Sequence, residues 1–299
     1  MSAFSQLRRA EQILLIYFAY TAVMAMVLGV RAGNRAELVG IDLVLWIVFL
    51  FGLTRTPREA KWRDWIPYAL ALFCYREAGW LASAVPPHGL EQRWIRWDRL
   101  VLDSWHVRAA IESLGPVIPT VLELAYLLVY VTGPVAAGAL CFFHRRNRVD
   151  RLWTAFLLGL LLAYVQFPFW PSEPPRTVFY GMDLPSYLTP VRRLNLFLVG
   201  NYGIHSSVFP SAHVSWAMAG ALMMRRLLPE RPWVGNGLLT LAVLIAIATV
   251  YGRYHYVADA VAGTAIGIVG YRLALRMTDA GAETSPGAAD TSVRATTEG

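Results

Sequence analysis

Read from the N-terminus, the chain alternates long apolar runs with short polar turns. The runs fall near residues 11–30, 37–53, 65–85, 117–143, 152–170, 208–227, 233–251 and 256–275. Each is near the roughly 20 residues that a helix needs to cross a bilayer. The pattern predicts an all-α, polytopic integral membrane bundle of about eight transmembrane helices. The third run carries Arg76 and Glu77 near its middle, so these two should face the bundle interior and find partners there. The first run follows Leu7-Arg8-Arg9, but it is long for a signal peptide and no small-residue cleavage site follows, so it reads as an uncleaved span. Between the third and fourth runs, residues 86–116 contain Gln92-Arg93-Trp94-Ile95-Arg96-Trp97-Asp98-Arg99-Leu100. Trp, Arg and aliphatic residues mixed at helical spacing suit an interfacial helix in the headgroup layer; an ordinary exposed loop helix fits equally well.

Composition sharpens the membrane assignment. The 299 residues are 56% hydrophobic and 16% charged, against roughly 45–50% and about 25% for soluble domains. The net charge of +7 does not point to nucleic acid, because the basic residues sit mostly in turns between apolar runs, where they encode orientation. Arg8 and Arg9 precede the first run; Arg55, Arg58, Lys61 and Arg63 follow the second. Arg145, Arg146, Arg148 and Arg151 separate the fourth and fifth, Arg225, Arg226 and Arg231 follow the sixth, and Arg272 and Arg276 end the eighth. With eight spans every cluster falls on one side, which places both termini in the cytoplasm. Lys61 is the only lysine; arginine offers phosphate a planar fork, although a GC-rich genome explains the same bias more simply. Cys74 and Cys141 lie inside apolar runs and are expected to be small buried hydrophobes, neither disulfide-bonded nor metal-binding. The tail, residues 277–299, has no apolar period and is expected to be disordered.

Candidate chemistry gathers on the side opposite the basic turns. Trp170-Pro171-Ser172-Glu173-Pro174-Pro175-Arg176 follows the fifth run, and its prolines end the helix and stiffen the exit. Phe209-Pro210-Ser211-Ala212-His213 opens the sixth, a helix start whose free amides and dipole make an anion site. Tyr251-Gly252-Arg253-Tyr254-His255-Tyr256-Val257-Ala258-Asp259 joins the seventh to the eighth. His255 and Asp259 share a helix face, so the carboxylate can fix the imidazole tautomer and leave the other nitrogen nucleophilic. Arg176 and Arg253 can neutralise charge that builds on phosphate oxygens. His88, His106, His144 and His205 read as polar anchors at the membrane surface, with His205 a possible neighbour of the site.

The order Pro-Pro-Arg, Pro-Ser-x-His, His-x-x-x-Asp resembles the three signature motifs of the type 2 phosphatidic acid phosphatase superfamily. The flanking text, Phe209 to Ala217 and His255 to Gly263, together with Trp97-Asp98-Arg99-Leu100, is similar to its inositol phosphorylceramide synthase and inositolphosphotransferase branch. The likeness covers roughly residues 92–275. It implies that His255 attacks phosphorus to form a phosphohistidine, Asp259 orients it and His213 protonates the leaving oxygen. It also implies that Arg176, Ser211 and the Ala212 amide hold the phosphate. The chain departs from the superfamily pattern in lacking the first-motif lysine and in having Ala248 and Thr249 where Ser-Arg is usual, work that Arg253 is expected to take over. Ala212 stands where glycine is common, which is harmless on a helical backbone.

Two other classes compete. A transporter would suit Arg76 and Glu77, but transporters concentrate their sites near the midplane, and here the polar constellation lies at helix ends. A metal site of His213, His255 and Asp259 would set its cation against two arginines. The expectation is therefore a lipid phosphotransferase or lipid phosphate phosphatase that uses no metal or other cofactor. Its donor is a membrane phospholipid or other lipid phosphate and its acceptor water, an alcohol or a lipid hydroxyl. Residues 1–85 form N-terminal transmembrane helices, 86–276 the catalytic core and 277–299 the tail. The active site faces away from the cytoplasm.

Overall fold

Helices begin where the chain supplies a cap or a proline. Thr189 caps Pro190–Tyr202 by accepting from the Arg192 amide at 3.2 Å, and Ser211 caps Ala212–Leu227 through the Val214 amide at 3.5 Å. Prolines occupy the first turns of Ile66–Leu81 and Pro232–Tyr251, where their missing N–H has no partner to lose. In a computed structural model, which describes residues 3–28, 32–82, 88–204, 206 and 208–283, the α-helices are α1 (Arg9–Val27), α2 (Ala32–Ile47), α3 (Ile66–Leu81), α4 (Glu91–Arg99), α5 (Val107–Glu112), α6 (Val117–Phe142), α7 (Val149–Tyr164), α8 (Pro175–Val178), α9 (Pro190–Tyr202), α10 (Ala212–Leu227), α11 (Pro232–Tyr251) and α12 (Val257–Glu283). No strand occurs among the described residues. The chain is an all-helical, polytopic membrane bundle.

Among the described residues, six helices are long and apolar enough to cross a membrane: α1, α2 with its extension to Arg55, α6, α7 with its flanking turns, α11 and α12. The other two expected spans, α3 and α10, have 16 residues each, about 24 Å at 1.5 Å per residue and short of a bilayer's roughly 30 Å core. In α10 the reason is local, since Pro210 and the Ser211 cap delay the helix start. Helix α12 runs on to Glu283, past the expected end near 276. The remainder of the tail and His205 lie outside the described residues. Cys74 is buried as expected, but Cys141 is exposed on the outside of α6; an apolar surround there is supplied by lipid, so the run's hydrophobicity did not require burial.

The core forms around α10, which packs against α7, α11 and α12, while α7 also meets α12, α1 and α3. Phe156, Trp153 and Trp216 interlock at its centre. Close approach depends on glycine: a Cβ on Gly267 of α12 would stand 2.8 Å from Met218 Cβ of α10. Helices in lipid gain association energy from such backbone proximity, because burying apolar surface there gains little.

The arginine-rich turns meet one another at one end of the bundle. Arg63 pairs with Glu11 at 2.5 Å with both side chains fully buried, and Arg8 and Arg146 share Asp64 at 2.8 and 2.5 Å. Arg145 reaches Glu230 at 2.6 Å. The three motif segments lie at the other end.

Candidate active site

Three connections converge at that end. The Ser211 amide donates to the Asp259 carbonyl at 3.1 Å, joining the start of α10 to the start of α12. The Arg176 amide donates to the Arg253 carbonyl at 3.3 Å, and the Val208 amide to the Ser172 carbonyl at 3.2 Å. The amides of Tyr254 and His255 both donate to the Thr249 carbonyl, at 2.9 and 3.0 Å, so the loop folds back over the end of α11. Gly263 of α12 permits the α10–α12 contact, since a Cβ there would lie 2.5 Å from the Ser211 carbonyl oxygen.

Within this frame, His255 Nδ1 lies 3.2 Å from Asp259 Oδ2, which also accepts from the Tyr256 amide at 2.9 Å. His255 Nε2 faces His213 Nδ1 at 3.5 Å. Both imidazoles and Arg176 line one cavity, otherwise walled by Tyr75, Tyr126, Tyr130, Tyr254 and Phe167 with aliphatic residues and Gly203. Burial, reinforced by the charge of Arg176, pushes the His255 imidazole down to about 3, against the Val208 carbonyl, which acts the other way. His255 is therefore neutral at pH 7. Burial also lowers Arg176 from its ordinary value, though a guanidinium remains cationic at neutral pH. The first amides of α10, at Ala212 and His213, have no carbonyl four residues back to bond, and Ala212 lines the cavity.

Two sequence-predicted residues stand elsewhere. Ser211 is fully buried with its hydroxyl committed to the helix cap. Arg253 is fully buried, does not line the cavity, and donates from Nη1 to Asp98 Oδ2 at 2.6 Å. Its backbone is left-handed, with φ 65°, a strained conformation for a non-glycine residue that the surrounding contacts must hold. Asp98 holds it from α4, and its Oδ1 accepts from the Val257 amide at 2.8 Å, capping α12. Helix α4 thus packs one face on the protein. Its face of Glu91, Ile95 and Asp98 is buried toward the loop that carries His255, while Arg93, Arg96 and Trp97 point outward. Glu91 accepts from the Glu173 amide at 3.0 Å, and His88 bridges Glu91 and Glu173 at 3.6 and 3.4 Å.

On the other side of the loop stands a group that the sequence reading missed. Glu123 of α6 accepts from Arg192 Nη1 at 2.6 Å, from Asn195 Nδ2 at 2.8 Å and from the Tyr254 hydroxyl at 2.7 Å. The Tyr254 ring stacks on Tyr126 at 4.1 Å, and Tyr126 packs on His213 at 5.3 Å between centroids. Arg176 and Arg192 both lie over the Tyr254 ring, at 5.7 and 5.9 Å. Tyr254 therefore links the Glu123 network to Arg176 and His213.

Such an arrangement can hold a phosphate between a cation, a helix start and two histidines. Among the described residues, no group of three His, Cys, Asp or Glu side chains is placed to hold a metal. A family profile described as the PAP2 superfamily matches residues 92–273. No curated protein and no solved structure matches the chain.

Proposed function

The chain belongs to the PAP2 superfamily, a membership that supports a lipid phosphoesterase of the phosphatase type, and from that premise we propose a phosphotransferase that works through a phosphohistidine on His255. One observation carries the reading: Asp259 occupies His255 Nδ1 while Nε2 opens toward His213 and Arg176 in a single cavity. An imidazole anchored at one nitrogen has its other lone pair directed at the substrate.

In the proposed reaction a lipid phosphate enters with its oxygens on Arg176 and on the Ala212 and His213 amides. His255 Nε2 forms a bond to phosphorus as the phosphorus–oxygen bond to the leaving group breaks. His213, entering the step as the imidazolium, gives that oxygen its proton, and Asp259 stabilises the cationic phosphoimidazole formed on His255, as a buried carboxylate does in hydrolase triads. An acceptor hydroxyl then returns its proton to His213 and attacks phosphorus, freeing His255. Ser211 and Arg253 support this centre from behind, Ser211 by starting α10 and Arg253 by fixing the loop. The aromatic and aliphatic walls, with His255 only 6% exposed, favour an alcohol acceptor over water, in keeping with the inositolphosphotransferase-like branch. We place the catalytic core at residues 86–276 and the site on the extracytoplasmic face, with no metal taking part.

The test is chemical trapping. With a lipid labelled in the transferred group, quenching at neutral to alkaline pH should leave an acid-labile label on His255, unaffected by chelator. His255→Ala should lose the label and reduce turnover by about three orders of magnitude or more. Wild-type turnover by His255→Ala would overturn the mechanism. Rapid discharge of the label without alcohol would make the enzyme a lipid phosphate phosphatase.

A further inference from the structure

The catalytic cavity does not end at His213. A second, apolar cavity adjoins it and shares Tyr75, Tyr130, Ala212 and His213 with it. Its walls are Ala71 and Leu72 of α3, Val129 of α6, Leu160 of α7 and Trp216 of α10, with tyrosines between. Several polar atoms on these walls are already committed. The Tyr68 hydroxyl donates to the Tyr130 carbonyl at 2.8 Å, the Tyr75 hydroxyl accepts from the Ile204 amide at 2.7 Å, and Trp216 Nε1 donates to Thr132 at 2.9 Å. These side chains present their apolar faces to the slot, and no arginine or carboxylate lines it. An apolar space walled this way favours hydrocarbon over water.

The slot has a direction. At one end are His213 and Tyr130, whose rings meet at 5.9 Å; away from them is Leu72, 53% exposed on the outside of the bundle, where lipid lies. Val129, Leu160 and Trp216 are buried between them, at 3%, 7% and 6% exposure. Three of the seven residues that it does not share with the first cavity, Tyr68, Ala71 and Leu72, come from α3, which precedes the matched residues 92–273.

We propose that this slot takes a hydrocarbon chain of the phospholipid donor, entering sideways from the bilayer between α3 and α6, and that Ala71 and Leu72 determine which chains fit. The proposal rests on the lipid-phosphate reading of the adjoining cavity. An amphiphile lying across His213 would have its phosphate at Arg176 and its chain against Val129 and Leu160, the polarity that the two cavities present.

Two measurements on the full chain in nanodiscs test it. The first is kcat/KM for a long-chain phosphatidate relative to its dibutyryl homologue, in wild type, Ala71→Leu and Leu72→Trp. Each buried methylene is worth about four-fold in binding, so a side chain that displaces two or more should lower the long-to-short ratio at least ten-fold. A ratio unchanged in both variants overturns the proposal. The second needs no turnover: a phosphatidate carrying a diazirine near the chain terminus should label the peptides of α3 and α6, and Ala71→Leu should remove most of that label. Labelling that is the same in wild type and Ala71→Leu is annular lipid and overturns the proposal. Because labelling is read without catalysis, loss of the phosphohistidine reading and loss of the slot are separate results.

Discussion

At the scale of single residues, the site is governed by what stands behind the reacting atoms. Asp98 is the clearest case: one carboxylate caps α12 through the Val257 amide and neutralises Arg253 two residues before His255. Burial raises its carboxyl to about 6, with the Val257 amide and Arg253 pulling downward and Asp259 upward. It is ionised at pH 7 and becomes neutral as pH falls through about 6, and the ion pair that fixes the strained loop is then lost. His255, held down at about 3, contributes no titration there. Activity toward a phosphodiester, which lacks the phosphomonoester ionisation near 6, should therefore fall on the acid side near pH 6. Asp98→Asn should lower kcat about ten-fold or more with little change in KM, and should erase that acid limb. An unaltered limb in the variant would assign it to another group and reduce Asp98 to a structural residue. The motif residues His213, His255 and Asp259 were legible in the sequence because their spacing carries chemistry on its own. Asp98 was visible only as one residue of an amphipathic helix. Periodicity assigns the buried face by hydrophobicity, whereas here two carboxylates lie on it. Glu123 was hidden for a related reason: its partner Arg192 is 69 positions away, and nothing local to α6 announces it.

At the scale of helices, the catalytic geometry is set by how closely α10 and α12 approach, since one carries His213 and the other Asp259. The contact is made by small residues. A side chain on Gly267 would meet Met218 Cβ and the Ser215 carbonyl at 2.8 Å, whereas one on Gly237 of α11 meets nothing within 4 Å. Gly267→Leu should therefore separate the two helices at the overpacking cost of about 1–3 kcal/mol, lowering the thermal midpoint in detergent by several degrees together with activity. Gly237→Ala should leave both nearly unchanged. Equal melting of the two variants would show that the close approach is not what holds the pair. The all-helical character and the order of the long helices were readable from the apolar runs, but number and length were less so, since six of the described helices, not eight, are long and apolar enough to cross a membrane. Pro210 with the Ser211 cap shortens α10, and α3 was marked by Arg76 and Glu77. Glu77 is fully buried beside Asp42 of α2, while Arg76 stacks over Trp80 at 5.7 Å. Glu77 thus faces protein, as an ionisable residue in a span should, whereas Arg76 is exposed and does not face the interior as expected. Their neighbour Tyr75 lines the catalytic cavity, which gives α3 a place in the site that its apolar pattern does not reveal.

At the scale of the molecule, charge separates the two ends. Arg8, Arg63 and Arg146 form one network with Glu11 and Asp64, Arg145 pairs with Glu230 at the same end, and the candidate site lies at the opposite end of the bundle. Short loops rich in Lys and Arg are retained in the cytoplasm, so the charged end should face inward and the site outward. A phosphotransferase placed so would draw both donor and acceptor from the outer leaflet, with no access to soluble cytoplasmic phosphates. In a chain with Cys74 and Cys141 replaced by alanine, a cysteine at Tyr180 or Tyr202, which are 88% and 69% exposed at the site end, should react with a membrane-impermeant maleimide in intact cells. One at Asn147, in the turn between α6 and α7, should react only after the membrane is opened. Neither Tyr180 nor Tyr202 lines the catalytic cavity, so activity can be followed in the same samples to show that the labelled chains are folded. Labelling of Asn147 alone in intact cells would invert the molecule and turn its active site toward cytoplasmic substrates. It would also separate the arginine network from any role in orientation, leaving it a purely structural seam between α1, the loop before α3 and α7.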